Sequence, residues 1–303
     1  MRSTPALTHP QALAAMVLAT LMWSIAGVVS RQLEAARSFE VTFWRSAFNA
    51  VALLPLLAWL RGPRAVAARL RSGDAALWLS ALCWCVMYTA FMVALTLTTV
   101  ANVLITMALG PLFTALVARL ALGHRLEPRT WGAIAAAGAG IAWMYGREVG
   151  ASAGGHVPGI AVALAVPLAA AVNWTLLQHL EARARKAGHA SGDMLPAVLL
   201  GATLSALITL PLAWPLAASG ADIAWLALLG LVQLAIPCVL AVLAARTLAA
   251  PEVSLLALLE VLFGVLWAWL GAGEAPSAAV LGGGSLVLAA LVLNEAAALR
   301  RRF

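Results

Sequence analysis

The chain has 303 residues, 63% hydrophobic and only 10% charged, with a net charge of +7 and a mean hydropathy of +0.96. Soluble domains carry about 25% charged residues, so a soluble globular protein is excluded and an integral membrane protein is indicated. The basic residues are scattered over short loops, which suits contact with anionic lipid and argues against nucleic acid as a partner.

A membrane-crossing helix needs about 20 apolar residues. Ten segments meet that need, at 11–30, 41–60, 75–97, 99–122, 129–146, 158–180, 194–216, 223–246, 251–271 and 277–298. The first is not read as a secretion signal. Its apolar run from Ala12 to Val29 is as long as a span, and Ser30-Arg31 follows it instead of a small-residue cleavage site.

Charge placement supports this count. With ten helices and the N-terminus inside, one side of the membrane receives fifteen of the 19 basic residues: Arg2, Arg61, Arg64, Arg69, Arg71, Arg119, Arg125, Arg129, Arg183, Arg185, Lys186, Arg246 and Arg300 to Arg302. The other side receives three, Arg31, Arg37 and Arg147, and Arg45 falls inside the second helix. The bias predicts that both termini are cytoplasmic.

The fourth segment is interrupted by Gly110-Pro111, read either as a hinge or as a static kink. Its pattern returns in the ninth. A shift of 150 places Phe113 on Phe263, Gly123 on Gly273 and Gly132 on Gly282 without a gap. Residues 1–150 and 151–303 are therefore expected to be two five-helix repeats. Five is odd, so the second copy enters the membrane from the opposite face, an inverted repeat of the kind that builds many secondary transporters. The expected fold is all-α, within one membrane domain.

Trp44, Trp59, Trp78, Trp131, Trp143, Trp214, Trp225 and Trp269 fall near segment ends and read as interface anchors. Gly132, Ala136 and Gly140, and the run Gly282-Gly283-Gly284, read as close-packing surfaces. Cys83, Cys85 and Cys238 lie in apolar runs and read as small packing residues.

Several of these residues together resemble the EamA-type branch of the drug/metabolite transporter superfamily. The run Ala94-Leu95, Ala101-Asn102, Gly110 to Leu116 and Leu122-Gly123 is similar to its fourth-helix signature. Trp23-Ser24, Phe43-Trp44-Arg45 and Gly273-Glu274 resemble its other marks. The sequence departs from the pattern at Gly123-His124, where the family has Gly-Glu, and at Glu260-Val261, which stands where the first copy has Gly110-Pro111. The resemblance implies a ten-helix exporter of amino acids, other metabolites or toxic compounds in the bacterial inner membrane. It is most similar to the amino-acid exporters, those for aromatic amino acids included.

Ionisable groups within a span are costly and call for a reason. Glu260 lies near mid-depth and reads as a proton site, a contact for a substrate amine, or a buried structural carboxyl. Glu252, after Pro251, reads as a cap at a helix start. Arg45 reads either as a partner for a substrate carboxylate or as a snorkelling side chain. Tyr88, Asn102, Asn173, Gln178 and Gln233 either bridge helices or line a wet cavity. Trp23 and Trp174 sit too deep for an interface belt and form either an aromatic wall or plain packing. Met87, Met92 and Met107 supply an adaptable apolar lining or simply core.

No Walker loop, H-E-x-x-H or G-x-S-x-G occurs, and the histidines at 9, 124, 156, 179 and 189 form no metal-spaced set. No cofactor, metal or enzymatic activity is expected. The expected partners are a small-molecule substrate and the lipid bilayer. A monomer is compatible with the sequence, which fixes no oligomeric state. The leading function is secondary export of amino acids or related metabolites by alternating access at a midplane cavity. The alternative is export of drugs or lipophilic cations.

Overall fold

Inside lipid, a backbone satisfies its polar groups only as helices or as a closed barrel. The computed structural model describes residues 7–30, 32–36, 38–98, 100–123, 127–151, 157–189, 191–272 and 277–300. All the regular structure among them is helical. The elements are α1 (His9–Trp23), α2 (Ala26–Ser30), α3 (Ser38–Arg61), α4 (Pro63–Leu70), α5 (Ala75–Leu97), α6 (Val100–Met107), α7 (Gly110–Leu122) and α8 (Pro128–Ala151). They continue with α9 (Val157–Lys186), α10 (Leu195–Ala213), α11 (Gly220–Leu228), a π-helical segment (Leu229–Ala235), α12 (Ile236–Ala244), α13 (Ala250–Ala257), α14 (Leu259–Ala272) and α15 (Ala278–Arg300). His124, His156, Arg31, Arg37 and the Gly273-Glu274 turn lie outside the described residues.

Among the described residues, seven helical stretches are long and apolar enough to cross a membrane: His9–Ser30, Phe39–Arg61, Ala75–Leu97, Val157–Lys186, Leu195–Ala213, Gly220–Ala244 and Ala250–Trp267. Three of the ten expected segments are not among them, each for a physical reason. The segment at 99–122 is split into α6 and α7. α8 is rich in Gly and Ala and carries Arg129 and Arg147 near its ends. α15 is apolar only over Ala278–Asn294.

Four places interrupt the helices. α1 and α2 are parted by a turn at Ser24–Ile25, where the Ser24 hydroxyl donates to the Leu21 carbonyl at 2.6 Å. Such back-bonding bends a helix. α6 stops at Met107 because Pro111 cannot donate to that carbonyl and its ring crowds it. Pro237 likewise frees the carbonyl of Gln233, and the turns before it widen into the π segment. The last break is a turn at Leu258, 150 residues after Ala108, with no proline to cause it.

α3 packs along α10, α5 between α9 and α10, and α1 along α12. α8 and α15 pair at one edge. There the backbones nearly touch, for a Cβ at Gly140 would lie 2.6 Å from the Gly283 carbonyl oxygen. The two broken helices meet only partly. α7 packs against α13, whereas α6 packs on α8 and α9, and α14 on α1 and α2. They cross at one end of the molecule and diverge toward the other.

The crossing end is the arginine-rich one. Arg61 pairs with Asp193 at 2.8 Å, Arg69 with Asp74 at 2.7 Å, Arg246 with Glu181 at 2.8 Å and His9 with Glu252 at 2.6 Å. The Ala250 amide donates to Gln178 at 3.1 Å. At the other end two buried carboxylates hold the loops. Asp222 accepts from the amides of Glu34, Ala35 and Ala36, and Glu40 from those of Ala217 and Ala218. Of the eight tryptophans expected at the interface, six are exposed and two, Trp44 and Trp131, are half-buried. Trp44 stacks on Phe48 and lies within 3.4 Å of Glu40.

Candidate functional site

The interruptions place polar groups in an apolar interior. α3 begins at Ser38, so Arg45 stands about two turns inside it, deeper than the expected span limit implied. Only 2% of Arg45 is exposed, which removes the snorkelling reading. Its guanidinium lies 6.0 Å over the Phe91 ring and acts electrostatically on Tyr88, Cys238 and Glu260. Tyr88, also buried, donates to the Cys238 sulfur at 3.3 Å. The Cys238 thiol lies against Trp23 as well. Gln233, in the π segment, donates to the Trp23 carbonyl at 3.3 Å. Glu260 is the second residue of α14, just past the break at Leu258, and is half-buried.

Five of the expected residues, Trp23, Arg45, Tyr88, Gln233 and Glu260, thus converge from α1, α3, α5, the π segment and α14. Three of them stand at helix interruptions, where backbone polar groups are freed and small ligands are commonly bound. Trp23, Phe91 and Glu260 remain half-buried.

The other expected residues lie elsewhere. Trp174 is buried and meets the site through one intermediary: it packs edge-on against Trp84, which stacks on Tyr88, both at 5.6 Å between ring centres. Asn102 donates to the Thr98 hydroxyl at 2.7 Å, one turn back. Met107 packs with Ala94, Val103 and Ala163 beside Phe91. Gly110 approaches Ser254 at the α7–α13 crossing, where an added Cβ would lie 3.3 Å from the Ser254 hydroxyl. Pro111 is buried beside it.

Asn173 and Gln178 bridge helices: Ser80 donates to Asn173 at 2.6 Å, and the Ala250 amide to Gln178. Glu252 caps α13 by accepting the Ala249 amide at 3.0 Å. It also binds His9, the buried first residue of α1. The described residues hold no group of three or more His, Cys, Asp or Glu suited to a metal.

Sequence reasoning missed Asn49, Phe91 and the role of Cys238. Asn49 is fully buried, one turn past Arg45 on α3 and beside the Tyr88 hydroxyl. The four-residue spacing from Arg45 was the available signal.

The model of the EamA-like transporter family matches residues 11–146. That stretch, a little under half of the chain, is similar to EamA-like transporters. The EamA family, part of the drug/metabolite transporter superfamily, comprises membrane transporters of small molecules, not enzymes. The matched stretch contains Trp23, Arg45, Tyr88, Asn102, Met107 and Gly110-Pro111, while Trp174, Gln233 and Glu260 follow it. A solved structure described only as "Crystal structure of protein" is similar with a TM-score of 0.70 at 18% identity, covering 92% of this chain and 96% of its own. At that identity the likeness shows the fold alone. No curated protein matches the chain.

Proposed function

We propose that the protein is a secondary transporter that exports amino acids or related small metabolites from the bacterial cytoplasm. The observation that carries this reading is the opposed pair of Arg45 and Glu260. They stand on separate helices and act on each other across an apolar interior. Isolated charges in such surroundings are costly, and a zwitterion supplies a counter-charge to each. Trp23 and Phe91 offer walls for its side chain, which favours large apolar or aromatic amino acids.

In this reading the chain spans the inner membrane ten times, as inverted halves 1–150 and 151–303 with both termini cytoplasmic. Two observations support it. The breaks at Ala108–Leu109 and at Leu258 fall 150 residues apart. The pairing of α5 with α9 also has a counterpart in that of α12 with α1. The arginine-rich end is then cytoplasmic and closed, and the divergence of α6 from α14 opens the site outward. Alternating access reverses this by parting α7 from α13. The crossing at Gly110 makes Gly110-Pro111 the hinge in this scheme.

A drug or lipophilic-cation exporter is the second reading, favoured by the carboxylate of Glu260 in a site with half-buried aromatic rings. Efflux from proteoliposomes containing only this protein separates the two. Vesicles preloaded with labelled amino acids should lose a selective subset, with a pH gradient testing for coupling. Retention of every amino acid alongside loss of a lipophilic cation would replace the first reading with the second.

A further inference from the structure

Several buried polar side chains hold atoms without a hydrogen-bond partner, and three of them, each more than nine-tenths buried, lie together at this site. These are Nε of Arg45, Oε1 of Gln233 and the amide of Asn49, which has the Tyr88 hydroxyl beside it but no well-aligned hydrogen bond. Buried polar groups are nearly always satisfied, so three exceptions in one neighbourhood need a common cause. Their common place is set by packing: Gly230, one turn before Gln233, rests against the backbone of Arg45 and Asn49.

The unmet atoms are complementary to one kind of molecule. Arg45 and the Asn49 amide nitrogen donate, from the same face of α3. The Gln233 oxygen accepts, and Glu260 carries the opposite charge to Arg45. The geometry points to Asn49 as a substrate-contact residue. With Arg45 it forms a two-residue fork for the substrate's carboxylate, while the substrate's ammonium group lies toward Gln233 and Glu260. This inference rests on the amino-acid reading above and adds to it an orientation and a residue.

The test is binding to the purified full-length protein of three probes that share one side chain: L-phenylalanine, 3-phenylpropionate, which lacks the ammonium, and phenethylamine, which lacks the carboxylate. Asn49→Leu removes the amide and keeps a side chain of similar size. It should weaken L-phenylalanine and 3-phenylpropionate about tenfold or more, the worth of a hydrogen bond to a charged group, and leave phenethylamine within about twofold. Asn49→Asp places a like charge against the carboxylate, so it should weaken the two acids and keep or strengthen the amine.

Equal weakening of all three probes by both variants would make Asn49 a structural residue and overturn the assignment. Unchanged binding of L-phenylalanine to both would do the same while leaving the amino-acid reading intact. Failure of the wild-type protein to bind any amino acid of a full panel would instead remove that reading, and this inference with it.

Discussion

Ser24 and Trp267 are joined by a hydrogen bond of 2.9 Å from the indole nitrogen to the hydroxyl, across a separation of 243 residues. His9 and Glu252 are joined across the same separation. The two ties are 15 residues apart on each strand of the pair, about 22 Å at the helical rise. The α1–α2 pair and the α13–α14 pair therefore run side by side in register, fastened at both ends, with Trp23 and Glu260 between the fastenings.

This lacing predicts coupled stability. Trp267→Phe keeps most of the ring packing and removes the donor, and Ser24→Ala removes the acceptor. Each should cost about 1 kcal/mol, and the double variant little more than either, since both delete the same bond. Thermal unfolding in one detergent for all four proteins measures the cycle. Additive losses would mean that the bond contributes nothing.

Glu260→Gln keeps the size and hydrogen-bonding capacity of the side chain and removes its charge. Transport should fall at least about tenfold, the effect of losing one charge-assisted contact, while the melting temperature stays within a few degrees. Efflux rates and a melting curve on the same preparation decide the matter. A well-folded variant with normal efflux would take Glu260 out of the mechanism.

Two glycines should respond oppositely to alanine. At Gly230 a Cβ would sit 2.8 Å from the Asn49 nitrogen and 2.9 Å from the Arg45 carbonyl oxygen, with the Cβ of Phe48 closer still. Rigid backbone atoms cannot give way, so Gly230→Ala should destabilise by about 1–3 kcal/mol, the usual effect of overpacking. At Gly132 nothing lies within 4 Å. Gly132→Ala should stabilise α8 by up to about 1 kcal/mol through helix propensity. Midpoints of denaturation for the two variants, read against wild type, should move in opposite directions.

Asp74 lies just outside α5 and caps it, accepting the Ala76 amide at 2.8 Å. Burial pushes its carboxyl up, but the Ala76 amide and the Arg69 guanidinium outweigh that and hold it below the usual carboxylate range. A group depressed in the folded state stabilises above its unfolded pKa, about 4. That contribution fades as pH falls through the lower folded value. Asp74→Ala should cost about 1 kcal/mol at neutral pH, and the gap should close on acidification to about pH 3. Melting curves across that range give the trend, and a gap that widens in acid would contradict it.

Hydropathy carried most of the helix limits because burial in lipid leaves little choice: the segment expected at 75–97 is Ala75–Leu97. The cost of intramembrane charge singled out Arg45 and Glu260, and the structure brings them to one site. The break at Leu258 was not legible, since no proline marks it and only packing against α7 locates it. The π segment was hidden for the same reason, as Pro237 announces a kink but not its form. Asn102 and Asn49 look alike in sequence, each a lone amide in an apolar run. Only the rotamer separates them: one amide turns back to Thr98, and the other stands beside Arg45 and Tyr88. Cys238 looked like filler because a thiol reads as apolar until a hydroxyl is found against it.

The contact at Gly230 also bears on how such a protein diversifies. Gly230 rests on the backbone of residues 45 and 49 and on the Phe48 Cβ, so the helix that presents Arg45 and Asn49 has no room to slide. A lineage acquiring a new cargo can exchange the side chains at 45 and 49 against a frame that stays fixed. Novelty at this site then comes by substitution, one side chain at a time, and not by drift of the scaffold.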